Sequence, residues 1–376
     1  MSERLDRLRA ALAENELDAL LVSVPVDDGF GRHADNRKYI SGFTGSSGIA
    51  LITAQRALFA ADFRYTEQAE RECVPRGFEV FEALGNSKDW MPRLLLEARL
   101  SGKKLGVSQA DMSLAGWSAL QQRVESMQSL DRPQLLPAPQ IIETLRRHKD
   151  AEEMALLQRA IDIADASFEA LQLQLSPKLT EVEVEDLFEA GVLAEGAESI
   201  SFETIVAAGA WGAMPHAHPR DGQRIGEGQP IVIDMGAQYQ GYCSDLTRTV
   251  VVGEPNAKFR EIYGIVFEAQ RRAIEGVRPG MTGVDAHNLA ANVIAEHGYG
   301  ERFGHGLGHG VGLQVHEAPY IGLSSEDILE EGMVFTIEPG IYLPGWGGVR
   351  IEDIVVLESS GARILSHASK LTPAGV

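Results

Sequence analysis

Four carboxylates and a run of histidines stand out in this chain as possible acids, bases or metal ligands. Asp234 and Asp245 end the polar part of Ile231-Val232-Ile233-Asp234-Met235-Gly236-Ala237-Gln238-Tyr239-Gln240-Gly241-Tyr242-Cys243-Ser244-Asp245, which reads as a hairpin between β-branched runs. Folded about residues 238–241, it places Asp234 directly opposite Asp245, with Cβ atoms roughly 4.5–5.5 Å apart. Glu338 and Glu352 repeat the arrangement around a turn centred on Gly345. Like charges that close repel, and they persist if they share a proton or a cation. Between the hairpins, Gly304-His305-Gly306-Leu307-Gly308-His309-Gly310 and His316 put three imidazoles where alternating glycines leave room for something to approach. Singly, each feature is ordinary: an aspartate at a strand end is usually a turn residue, and a glycine-rich stretch is usually a loop. Together, four carboxylates and one imidazole suit a site of two divalent ions, among manganese, iron, cobalt and zinc.

These residues need elements to position them. Asp150-x-x-Glu153 and Thr180-x-x-Glu183 are capping boxes, the first opening a helix to about residue 173. The histidines His216 and His218 follow, then Asp234 and Asp245. The order then recurs. Residues 256–276 and 282–297 read as helices, the second stopped by Gly298, and are followed by the second histidine group and second acid pair. Thr180 to Thr282 is 102 residues, Asp234 to Glu338 is 104, and Asp245 to Glu352 is 107. The spacing predicts two α+β halves whose acids face a common centre. Upstream, residues 2–15 form an amphipathic stripe through Leu5, Leu8 and Leu12. Residues 17–24 and 48–52 read as strands, and strands alternate with helices to about residue 130, an α/β pattern. Pro133, Pro137 and Pro139 interrupt any helix, which sets the expected domains at 1–139 and 140–376.

Composition narrows the function classes. The 376 residues carry 34 Lys and Arg against 54 Asp and Glu, a formal charge of −20, with no local basic patch, so neither nucleic acid nor an anionic membrane surface is expected as a partner. Two cysteines, Cys73 and Cys243, make no disulfide framework. The charged N-terminus has no apolar signal core, and no run approaches the ~20 apolar residues of a membrane span, so a cytoplasmic protein is expected. Nucleophile-elbow, Walker, dinucleotide-binding and His-Glu-x-x-His patterns are absent at the segments that could carry them.

At these motifs the chain resembles the pita-bread metallopeptidases, in particular the Xaa-Pro aminopeptidases (aminopeptidase P) and Xaa-Pro dipeptidases (prolidases). The resemblance covers nearly the whole chain. It includes a creatinase-like N-terminal domain carrying Tyr39-Ile40-Ser41-Gly42-Phe43-Thr44-Gly45-Ser46 and Asp62-Phe63-Arg64-Tyr65. It implies an α/β N-terminal domain and an α+β pita-bread catalytic domain with pseudo-twofold symmetry. By the resemblance, Asp234 chelates one metal, His309 and Glu338 hold the other, and Asp245 and Glu352 bridge both. His216 and His316 face the substrate, Glu338 moves the proton of the attacking water, and His305, Arg350 and Tyr342 lie near the leaving proline. The implied cofactors are two divalent ions, manganese foremost, with cobalt, zinc or iron as alternatives. The implied activity is hydrolysis of the bond before proline by a hydroxide held between the ions, releasing the N-terminal residue of a peptide with proline second. A prolidase restricted to dipeptides is the alternative, and a non-enzymatic peptide-binding protein the remote one. A homodimer is implied as well.

Overall fold

The computed structural model describes residues 3–24, 36–109 and 111–370. The chain divides into two compact units, Met1–Arg146 and Arg147–Val376. The first unit is built on a six-stranded sheet in the order Glu79–Glu82, Ala57–Ala61, Ile49–Thr53, Ala19–Val22, Lys104–Ser108, Gln134–Ala138. Its central strands are apolar along their length, as strands covered on both faces must be. The expected N-terminal helix is Glu3–Glu14, and its Leu5, Leu8 and Leu12 are buried. The division falls seven residues beyond the expected boundary (146 against 139). The proline run is not a linker: Gln134–Ala138, with Pro137, is the sheet's outermost strand, where a missing N–H is tolerated. The helix Ile141–Arg146 that follows still packs on Glu3–Glu14.

The second unit repeats one plan. Helices Ala151–Gln172 and Glu181–Ala194 pair with each other and cover the strands Ile205–Ala208, Ile231–Met235 and Leu246–Val250. Helices Ala257–Gly276 and Gly283–Glu296 pair likewise and cover Val334–Ile337, Gly340–Leu343, Gly347–Arg350 and Asp353–Glu358. Each half has its own apolar core, one around Phe168, Phe188 and Ile233, the other around Phe259, Val266 and Phe335. The helices begin where the caps predict. Asp150, Thr180 and Thr282 each accept from the third residue of their helix, and Glu153, Glu183 and Asp285 reach back to close the box. Such a cap contributes about 1 kcal/mol. Equivalent single bridges, Thr180 with Arg224 and Thr282 with Ile328, fasten the second helix of each half. Among the described residues no helix is long and apolar enough to cross a membrane.

Candidate metal centre

The two hairpins deliver the acids by different registers. In the second, Gly340 pairs with Arg350 and Ile337 with Asp353, so Glu338 and Glu352 share a register position between the two ladders, as the turn at Gly345 requires. In the first, Tyr239 pairs with Tyr242 and Asp234 with Thr247, not with Asp245. The expected four-residue turn is a two-residue one. Gln240 (φ 48°) and Gly241 (φ 88°) both adopt the left-handed conformation that suits a tight hairpin. Asp245 therefore lies two residues along from Thr247 on the same strand face, in the gap between Tyr242–Cys243 and Leu246–Val250. The backbone passes close to its own partner strand there: a Cβ on Gly236 would lie 2.1 Å from the Ser244 carbonyl oxygen.

Despite the shifted register, the four carboxylates converge. Asp234, Asp245 and Glu352 form one group, His309, Glu338 and Glu352 a second, and Asp245, His309 and His316 a third, each with its donor atoms within 4.8 Å of one another. His309 Nε2 lies 3.3 Å from Glu338 Oε1 and 3.6 Å from Asp245 Oδ2. Its Nδ1 lies 3.1 Å from the Gly310 carbonyl, which can only accept, so Nδ1 carries a proton and the nitrogen that faces the cluster is Nε2. Asp234 Oδ1 and Glu352 Oε1 are buried with no hydrogen-bond donor. Buried carboxylate oxygens without a donor are costly unless a cation meets them. This donor set fits divalent cations.

The electrostatics agree. Burial, then the charges of Glu352, Asp234 and Glu338, push the Asp245 carboxyl well above its usual range. Burial, then Glu338 and Asp234, do the same to Glu352. Burial also opposes ionisation of Glu338, yet its hydrogen bond and charge interaction with His309 bring it down to about 2.

The remaining expected residues sort into two groups. His216, His305, His309 and His316 all line one cavity of about 1180 Å³ with the four acids, beside the apolar Phe202, Ile205 and Val315. The His316 ring stands 4.2 Å from that of His309. Its edge is open to the cavity, but the protein around the rest of the ring, and then His309, push it down to about 4. His218 is 78% exposed near Glu203 at the mouth. Arg350, which also lines the cavity, and Tyr342 brace its wall. Arg350 is buried and donates to Asp234 Oδ2 (2.6 Å), the Tyr342 hydroxyl (2.8 Å), Thr247 Oγ1 (3.0 Å) and the Pro215 carbonyl (3.3 Å). Tyr342, its hydroxyl pushed up to about 12 by burial, is 3.0 Å from His305 Nε2. His305 Nδ1 faces the Gly306 carbonyl at 2.8 Å, so the proton sits there and Nε2 accepts from Tyr342. Sequence reasoning missed Thr247, whose hydroxyl donates to Glu352 Oε2 at 2.8 Å. Reading Gln240-Gly241 as a two-residue turn would have found it, because that register sets Thr247 against Asp234.

The chain is similar over nearly its whole length to known proteins. A family model described as metallopeptidase family M24 matches residues 155–359, and one described as the creatinase/prolidase N-terminal domain matches residues 4–148. The chain is 37% identical over 377 residues to a protein of Pyrococcus furiosus named Xaa-Pro dipeptidase, covering 98% of this chain and 99% of that one. A solved Xaa-Pro dipeptidase from Bacillus anthracis superposes with a TM-score of 0.88 at 39% identity, covering 98% of each chain. A solved X-Pro aminopeptidase from Thermotoga maritima gives 0.86 at 36%, covering 98% of this chain and 99% of that one.

Proposed function

Because the chain belongs to metallopeptidase family M24, with a creatinase/prolidase N-terminal domain ahead of it, we propose that it hydrolyses Xaa-Pro dipeptides, with Asp234, Asp245, His309, Glu338 and Glu352 holding two divalent ions. The observation that carries the metal reading is the convergence of these five side chains around two buried oxygens without donors. An oxygen-rich set with one imidazole favours manganese, with cobalt, zinc or iron as substitutes. Likeness over the whole chain to proteins named Xaa-Pro dipeptidase supports the dipeptide over the longer peptide expected first. The likeness to an X-Pro aminopeptidase keeps removal of the N-terminal residue from longer peptides as the second reading.

When bound, such ions supply a water that ionises near neutral pH and polarise the scissile carbonyl. The chain's own residues supply the rest. Glu338 lines the cavity among the other acids, and its carboxylate is the acceptor for the proton that the attacking water releases. His316 is neutral at pH 7 and can donate an N–H to the oxygen on which charge develops. His216, on the opposite half of the repeat, lines the same cavity and positions the peptide. Arg350 holds Asp234 in place and, through Tyr342, fixes the tautomer of His305, which therefore meets the proline with its ring and not with a free N–H.

The test uses chelator-stripped protein with and without added manganese, assayed on Xaa-Pro dipeptide and Xaa-Pro-Xaa tripeptide. Metal-restored cleavage of the dipeptide is the expected result. Cleavage of the tripeptide instead moves the assignment to the aminopeptidase, and cleavage of neither overturns the reading. A homodimer belongs to the same proposal, and sedimentation equilibrium reads it.

A further inference from the structure

Lys149 stands just before the capping box of helix Ala151–Gln172, and its side chain is only 1% exposed. Its Nζ lies 2.8 Å from Glu317 Oε1, a carboxylate that is itself 7% exposed. Burying an ion pair strips water from both charges and is weak evidence for stability, so its geometry is what needs a reason. Glu317 follows His316 directly. The Gln314 amide donates to its other oxygen at 3.4 Å, closing the loop that carries His316 onto the carboxylate. The loop backbone lies hard against the pair: a Cβ on Gly312 would meet Glu317 Oε1 at 2.6 Å and Lys149 Cε at 3.0 Å. The Gly312 carbonyl accepts from the Cys243 amide at 2.7 Å, which ties the same loop to the first hairpin two residues before Asp245.

We propose that Lys149 is a positioning residue. Through Glu317 it fixes the loop of residues 311–317 so that His316 faces the reacting centre. The proposal rests on the peptidase reading above. It is tested by a double-mutant cycle on metal-reloaded protein of equal metal content. Lys149→Met is expected to lower kcat by ~10- to 100-fold, the usual cost of losing a group that orients an active-site side chain. KM should move by less than ~3-fold, and in a His316→Ala background the same change should cost less than ~2-fold, because its effect passes through that imidazole. An equal loss in both backgrounds, or no loss with His316 intact, overturns the proposal. If Lys149→Met does not fold, Glu317→Gln, which keeps the side-chain volume and the bond from Gln314, should give the same pattern. Imidazole ¹H–¹⁵N spectra of the metal-free protein give a readout that does not depend on turnover. The His316 signals should move in either variant while those of exposed His218 stay, and unmoved His316 signals overturn the proposal. If the unmutated protein cuts neither peptide, the peptidase reading fails while the spectra still decide what Lys149 does.

Discussion

The two halves of the second unit reach one centre by different constructions. In the first half the strand beside the acid-bearing Ile231–Met235 is the apolar Ile205–Ala208, so this half adds only Asp234 and Asp245 to the converging donor groups, with His216 on the cavity wall. In the second half the corresponding strand is Gly308–Gly310, which brings His309 beside Glu338. Asp234 sits inside a continuous ladder, between Ile205 and Thr247. Asp245, Glu338 and Glu352 sit in gaps between ladders. The halves also brace each other. Arg350 of the second holds Asp234 of the first, and Thr247 of the first holds Glu352 of the second. A repeated fold thus supplies a near-symmetric frame that is broken at its centre: the imidazoles His309 and His316 join the donor groups from the second half alone, and two struts cross between halves.

Substitutions in the two halves should separate their contributions. The largest effect is expected at Glu352, whose carboxylate belongs to both acid groups. Glu352→Gln should lower kcat by about a thousand-fold or more, since several kcal/mol of transition-state stabilisation depend on the ions. The metal-free variant should melt no lower than the unmutated protein, because burial and neighbouring acids already oppose ionisation there; a lower Tm would show that Glu352 is stabilising without metal. His316→Ala should cost about 10²–10³ in kcat, as for loss of one oxyanion donor, with the metal content of the purified protein unchanged. Arg350→Lys should cost about 10- to 100-fold, because an ammonium cannot span Asp234, Tyr342 and Thr247 as the guanidinium fork does. Thr247→Val should cost less, about tenfold. If Arg350→Lys were silent, the halves would not depend on this strut.

The smallest effect is on stability against pH in the metal-free protein. Ordinary carboxyls titrate near about pH 4, whereas burial and the neighbouring acids raise Asp245 and Glu352 in the fold. Across that window the folded state holds more protons than the unfolded chain, so stability is greatest below about pH 4 as far as these groups contribute, and falls as pH rises toward neutrality. Denaturant midpoints measured across the window should fall less steeply for Asp245→Asn. An equal slope would mean that the acid cluster is not strained without ions.

Much of this was legible in the sequence because it rests on local chemistry. The three capping boxes fix where helices begin. Gly345, with φ 81°, centres the second hairpin and so aligns Glu338 with Glu352. The first hairpin was misread by two residues because Gln240 is not a residue expected at φ 48°, so a longer turn looked more natural. The acids still converge, since a shift of two keeps the strand face. The proline run misled for a related reason: an edge strand accepts what a central strand or helix does not. The tight turn at Gln240-Gly241 places Thr247 on the acid-bearing face, and Arg350 is named by the family resemblance, but their partners and that of Lys149 lie 105, 116 and 168 residues away, and no local pattern announces which residue each one meets.

If the halves share one centre, each contributes side chains to its own ion. Chelator-stripped protein reloaded with manganese and freed of excess should hold two ions per chain by elemental analysis. Asp234→Asn, in the first half, and His309→Ala, in the second, should each leave one. Fewer than two ions in the unmutated chain, or two in both variants, would contradict the assignment of these side chains to a centre shared between the halves.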